Sequence, residues 1–173
     1  MGKMFLEPGF RDFLFRFVQG RLHINQAIAA YNQEQEPYCP FCVIELNREY
    51  RLNGRDLNSI EYNTEKRQLP HENVKHLYWE CNSTRVVIEK TIRILEKPNA
   101  SASEYLIGNL GESRSKTEVG CIILHWSKYW IYGRKIDKRL IIMREFDIEF
   151  NIMLRKLQRV RKYRDIVGQM VMF

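Results

Sequence analysis

The sequence predicts a mainly α fold, first from the spacing of its apolar residues. Phe10, Phe13, Leu14, Phe17 and Val18 fall at i, i+3, i+4, i+7, i+8, and Met143, Phe146, Phe150, Met153, Leu157 and Val160 alternate steps of three and four. Both patterns collect apolar side chains on one helical face. Helix punctuation agrees: Pro8 suits a first turn, Gly20 a C-terminal stop, and Asn25 and Asn73 the N-cap position. Composition is the third observation. The 173 residues, 45% hydrophobic and 12% aromatic, suffice for one domain or two small ones and argue against general disorder.

Taken in order, residues 8–19 read as an amphipathic helix with Arg11, Asp12, Arg16 and Gln19 outward. A second short helix is expected over 26–33, with Ile28 and Tyr31 inward. Glu34-Gln35-Glu36-Pro37 then breaks the chain. Residues 43–70 read as an insert: Val43, Ile44, Leu46, Tyr50 and Leu52 suit a strand before the Asn53-Gly54 turn, which predicts a short β-hairpin. Pro70 ends it. Residues 73–81 read as a short helix that resumes after a break near Asn82 and runs through Val86, Val87 and Ile92 to Glu96. Residues 97–116 are rich in Pro, Asn, Ser, Gly and Glu and read as a linker or exposed loop. Residues 117–135 predict a buried aromatic helix. Residues 138–164 predict a last helix, acidic early and basic late, as the helix dipole favours. The expected organisation is a helical module over 1–96 with the insert 43–70, the linker 97–116, and a C-terminal helical pair over 117–173.

Four residues stand out chemically. Cys39 and Cys42 form C-x2-C, with Pro40 stiffening the turn, and His76 and Cys81 form H-x4-C. Three thiolates and an imidazole fill a tetrahedral zinc shell, and a shell closed by four protein ligands implies a structural rather than a catalytic ion. Residues five apart on an α-helix lie about 140° apart around its axis, so the helix must end or distort near Cys81 for both to bind. His71, the rival ligand, reads as a solvated loop residue, Cys121 as core, and His23 and His125 as packed or surface residues. The tight Cys pair argues for metal ligation over disulfides, hence an intracellular location, nuclear or cytoplasmic. No apolar h-region follows Met1, so secretion is not expected; no apolar run is long enough to span a bilayer, and a membrane surface is a weaker alternative to nucleic acid, so no membrane partner is expected.

Lys and Arg number 28 against 21 Asp and Glu, a formal net charge of +7. Such a balance suits a polyanion. Basic residues interleaved with aromatics are what a nucleic-acid surface requires: charge for phosphates, rings for unpaired bases. Trp130, Tyr132, Arg134, Lys135, Lys138 and Arg139 form one candidate group, and Arg155, Lys156, Arg159, Arg161, Lys162 and Arg164 a second. Taken singly, each also fits an ordinary solvated helix face over a packed aromatic core.

The segment Glu72-Asn73-Val74-Lys75-His76-Leu77-Tyr78-Trp79-Glu80-Cys81 resembles the E-T-x-x-H-L-x-x-x-C stretch of the zinc-binding region that lies C-terminal to the polymerase in non-LTR retrotransposon reverse transcriptases. Pro40 within the Cys pair is similar to that region's C-P-x-C. Phe13-Leu14-Phe15-Arg16-Phe17-Val18-Gln19-Gly20-Arg21-Leu22 resembles its aromatic helix and "gRL" turn, and residues 123–134 its closing "K-x-x-I-x-x-x-R" helix. The chain departs from the pattern in carrying Asn73 for threonine and a much longer gap between Cys42 and His76. It has no Y-x-D-D and no set of spaced aspartates for two-metal chemistry, so an enzyme is not expected. The resemblance implies a detached retroelement tail with a structural zinc that binds nucleic acid, RNA first. The alternative is a structural or protein-interaction subunit of a larger assembly.

Overall fold

A computed structural model describes residues 7–97, 99–107 and 114–170. These residues form a mainly α structure. In order, the elements are α1 (Pro8–Val18), α2 (Asn25–Ala29), α3 (Pro40–Leu52), α4 (Ile60–Arg67), a π-helical turn (His76–Glu80), α5 (Asn82–Ile94), α6 (Ala102–Ile107), α7 (Arg114–Ile136), α8 (Met143–Gln158) and α9 (Arg164–Met170). The long helix α7 is the hub, packing on α1, α5 and α9, while α8 lies against α5 and α9.

Helix α1 starts at Pro8 in its first turn, and Gly20 takes a left-handed φ of 64° just past its end. Phe10 and Phe13 are buried against the Tyr129 ring, with centroids 5.4 and 5.6 Å away. Gly9 permits that approach, since a Cβ there would stand 2.8 Å from the Tyr129 hydroxyl oxygen. Val18, expected inward, is 76% exposed at the helix end. Helix α2 stops at Ala29, short of the expected 33, and this leaves Tyr31 79% exposed rather than packed.

The β-hairpin expected over 43–70 is instead a helical hairpin. The Asn53-Gly54 reversal is present, with Gly54 at φ 62°, but it joins α3 to α4. Pro40 starts a helix, and adjacent Val43 and Ile44 spoil the strand alternation. Leu46 and Tyr50, four apart, meet Tyr62 of α4 in a small separate core with Leu57 and Leu69. Ser59 caps α4, its hydroxyl accepting from the Tyr62 N–H at 3.1 Å. Arg55 covers the Tyr50 ring at 4.0 Å.

A main core runs from Phe10 of α1 to Val167 of α9. Within the expected linker 97–116, Tyr105 belongs to it and Ala100 and Leu106 pack against it. Helix α6 lies there, and its Tyr105 is fully buried with its ring 5.6 Å from Trp79. The rest of the expected linker, residues 98 and 108–113, falls outside the described residues. The C-terminal periodicity is met by α8, which buries Phe146, Phe150, Met153, Leu154 and Leu157. The chain turns before α9, so 138–164 is not one helix.

Lys128 of α7 fastens α6. It is fully buried, and its Nζ donates to the carbonyls of Tyr105 at 2.7 Å and Leu106 at 2.9 Å, with the Phe17 and Tyr105 rings each 4.9 Å away. Burial lowers its pKa from 10.5 to about 7. Between those values the unfolded chain holds a proton that the folded chain does not, so this group makes stability rise with pH. Relative to Lys128→Met, the wild type is expected to gain up to about 1.4 kcal/mol per pH unit between pH 7 and 9, read by urea denaturation. Parallel pH profiles for the two proteins contradict this.

Candidate metal centre and basic surface

The two ligand pairs meet because a short ladder closes the insert. The Cys39 N–H donates to the Pro70 carbonyl at 3.0 Å and the Glu72 N–H to the Pro37 carbonyl at 2.7 Å, around an isolated antiparallel bridge between Tyr38 and His71. This sets Cys39 beside the start of the second half-site. Cys39 then occupies the N-cap of α3, and Cys42 lies in its first turn.

The second pair meets through a distortion at the expected place. The Asn73 side-chain oxygen accepts from the His76 N–H at 2.8 Å and opens the helical stretch. The stretch then widens into a π turn, in which the Cys81 N–H donates to the His76 carbonyl at 2.8 Å. A bond from i+5 to i brings residues five apart closer to one face than an α-helix does. Cys81 leaves the helix at φ −69°, ψ 122° and becomes the N-cap of α5. Buried Thr84 stabilises this break, its hydroxyl donating to the Leu77 carbonyl at 2.8 Å.

The four ligand atoms all lie within 4.8 Å of one another. Cys39 Sγ is 3.8 Å from Cys81 Sγ, Cys42 Sγ is 3.9 Å from Cys81 Sγ, and Cys42 Sγ is 3.5 Å from His76 Nε2. Zinc–sulfur bonds of about 2.3 Å and zinc–nitrogen bonds of about 2.0 Å at tetrahedral angles require edges of roughly 3.8 Å between sulfurs and roughly 3.5 Å from sulfur to nitrogen. The cluster therefore fits such an ion. A disulfide, at about 2.05 Å, is not present between any of these sulfurs. Cys39, His76 and Cys81 are buried, while Cys42 is half-buried.

The electrostatics also suit a cation. With three thiols this close, hydrogen bonds from Cys39 and Cys42 hold Cys81 well below the usual thiol range. Cys39 is pushed up, first by its bonds to Cys42 and Cys81 and then by burial. Only one negative charge is comfortable until a cation neutralises the rest. All three sulfurs also sit at the N-cap or in the first turn of a helix, where the dipole favours thiolate.

Glu72, in the ladder, has no exposed surface and pairs with Lys135 of α7 at 2.6 Å. It also accepts from the Asn25 N–H at 3.3 Å, at the start of α2. Burial raises its pKa, against the opposing pull of Lys135. Lys135 further donates to the His23 carbonyl. Sequence reasoning missed this pair. Its only signal was the acidic residue four before His76, which is silent about a partner 63 positions on. The rival ligands stay outside the cluster: His71 is exposed, and His125 packs edge-on to Phe17 at 5.6 Å, where burial lowers its pKa to about 4.

The basic candidates divide. Trp130, Arg134 and Lys135 are buried and engaged internally. Arg134 lies over the Trp130 ring at 4.6 Å, holds Glu149 at 3.0 Å and also pairs with Glu145. Tyr132 is half-buried, its hydroxyl accepting from the His23 N–H at 3.2 Å. Lys156 pairs with Glu7 at 2.6 Å, Lys162 pairs with Glu118, and Arg139 reaches Glu145 at 3.4 Å. Lys138, Arg155, Arg159, Arg161 and Arg164 are exposed and make no ion pair among the described residues. Among the described residues no helix is long and apolar enough to cross a membrane. No protein-family model, curated protein or solved structure matches the chain.

Proposed function

We propose that the chain is a nucleic-acid-binding module, with RNA as its ligand, whose fold is stapled by a structural zinc ion. The observation that carries this reading is the run of Arg155, Arg159, Arg161 and Arg164 at the end of α8, the turn beyond it and the start of α9. All four are exposed and unmatched by carboxylates among the described residues, in a chain of net charge +7. Unpaired cations set close along one stretch suit a phosphate backbone. Trp130, Arg134 and Lys135 drop out of the interface, because their packing holds α7 to α8 and to the ladder. The resemblance to the zinc-binding tail of non-LTR retrotransposon reverse transcriptases supports the same ligand and suggests a retroelement origin. The four-ligand shell supports a structural metal and a role without chemistry of its own.

Four phosphate contacts on a single strand imply a log–log salt slope near −3, a loss of about 50-fold between 50 and 200 mM salt. Fluorescence anisotropy with a single-stranded RNA is expected to show this, and the double variant Arg155→Ala/Arg159→Ala to halve the slope. An absence of binding at 50 mM salt contradicts the proposal.

A further inference from the structure

A cleft of about 310 Å³ opens where the start of α1 meets α7 and α8. Its walls are aromatic, with Trp126, Tyr129 and Trp130 from successive turns of α7, and its polar groups are Glu7, Glu149 and Lys156. One buried donor has no partner among the described residues, and two exposed carboxylates have acceptor capacity to spare. The Trp130 Nε1–H is buried and has no acceptor among the described residues. Glu7 and Glu149 each engage Oε1 with a cation, Lys156 and Arg134, while the second oxygen of each makes no hydrogen bond among the described residues. Arg155 flanks Lys156 on α8, and Arg159 lies one turn beyond; both are exposed.

We infer that this cleft receives one unpaired nucleobase, and that guanine is the base it favours. The inference rests on the nucleic-acid reading above and assigns that ligand a second point of attachment. Trp126 and Tyr129, the part-exposed rings of the wall, offer a stacking surface, which single-strand binders use for exposed bases. Ionised carboxylates only accept hydrogen bonds. Guanine carries two adjacent donors, N1–H and the N2 amino group, that match one carboxylate, and a carbonyl that can accept from the Lys156 ammonium. Uracil has one ring donor, and adenine and cytosine present a single amino group on that edge. An occupant cation, such as a methylated lysine, is disfavoured. The guanidinium of Arg134 already covers the Trp130 ring, Lys156 already neutralises Glu7, and the neighbouring arginines repel positive charge.

The test uses the 173-residue chain and two probes. Guanosine, which has no phosphate, is titrated against the 15N-labelled protein. The indole N–H signals of Trp126 and Trp130 are expected to shift saturably, those of Trp79 to stay, and uridine to move none of them. Anisotropy with eight-residue RNAs then compares a strand carrying one guanine with inosine and abasic replacements. The guanine strand is expected to bind about tenfold more tightly than the abasic one. The inosine strand, lacking the N2 amino group, is expected to fall in between. Glu7→Gln, an exposed site, removes a negative charge and a carboxylate acceptor together. The expected result is a smaller guanine–inosine difference, with abasic binding kept or improved. Equal affinity for guanine and abasic strands overturns the inference and leaves the charge-driven reading standing. Guanosine shifts without RNA binding sustain the cleft and defeat that reading. Shifts from a trimethyllysine peptide in place of guanosine also overturn it.

Discussion

Exchanging Cys81 for serine is expected to abolish stoichiometric metal binding and to lower thermal stability in the same step. Cys81 is the hinge of the centre: its sulfur lies 3.8 and 3.9 Å from those of Cys39 and Cys42, and its backbone ends the π turn and caps α5. An ion bound at a thousand times its Kd adds about 4 kcal/mol to folding. For a chain of this length each kcal/mol shifts Tm by roughly 2–4 °C, so the expected fall is roughly 8–16 °C. A chelator is expected to lower the wild type to the level of the variant and to leave the variant unchanged, because both remove the same contribution. Cys121→Ser, outside the cluster, is expected to keep full metal content. Metal bound one-to-one by Cys81→Ser, with no loss of Tm, contradicts the ligand assignment.

The second large effect concerns the buried pair of Glu72 and Lys135. Glu72→Ala or Lys135→Ala is expected to cost about 3–5 kcal/mol, since each leaves its partner charged and buried. The double variant Glu72→Leu/Lys135→Met is expected to cost less than either single change, because removing both charges also removes their desolvation cost. The raised pKa of Glu72 points the same way: burial outweighs the attraction of Lys135. The pair joins the ladder beside Cys39 to the last turn of α7, so the single variants are also expected to weaken metal retention. Urea denaturation of the four proteins checks this. Single variants that each lose under about 1 kcal/mol contradict it.

The legible parts of the sequence were those where one local rule decides the outcome. The i, i+3, i+4 spacing placed α1 and the buried face of α8, and Asn73 marked the start of the short stretch that carries His76. The spacing of His76 and Cys81 required a distortion, and the π turn with its break at Cys81 supplies one. The insert misled because Asn53-Gly54 specifies a reversal without specifying what it joins. Pro40 and the Leu46–Tyr50 spacing had favoured a helix all along. The basic candidates were legible as charge but not as surface. Arg134 and Lys135 look like Lys138 and Arg139 in sequence, yet the last turn of α7 brings the first two onto Glu149 and Glu72 while the others lie beyond the helix and are exposed. Such partners lie 15 and 63 positions away, beyond the reach of any local pattern. Lys128 was silent for the same reason, its acceptors being backbone carbonyls of a helix that reads as loop.

The most direct measurement is the metal content of the purified chain, combined with X-ray absorption at the metal edge. One zinc ion per chain is expected, with three sulfur neighbours at about 2.3 Å and one nitrogen at about 2.0 Å. A chain that folds without metal, or a shell built mainly of oxygen, contradicts it.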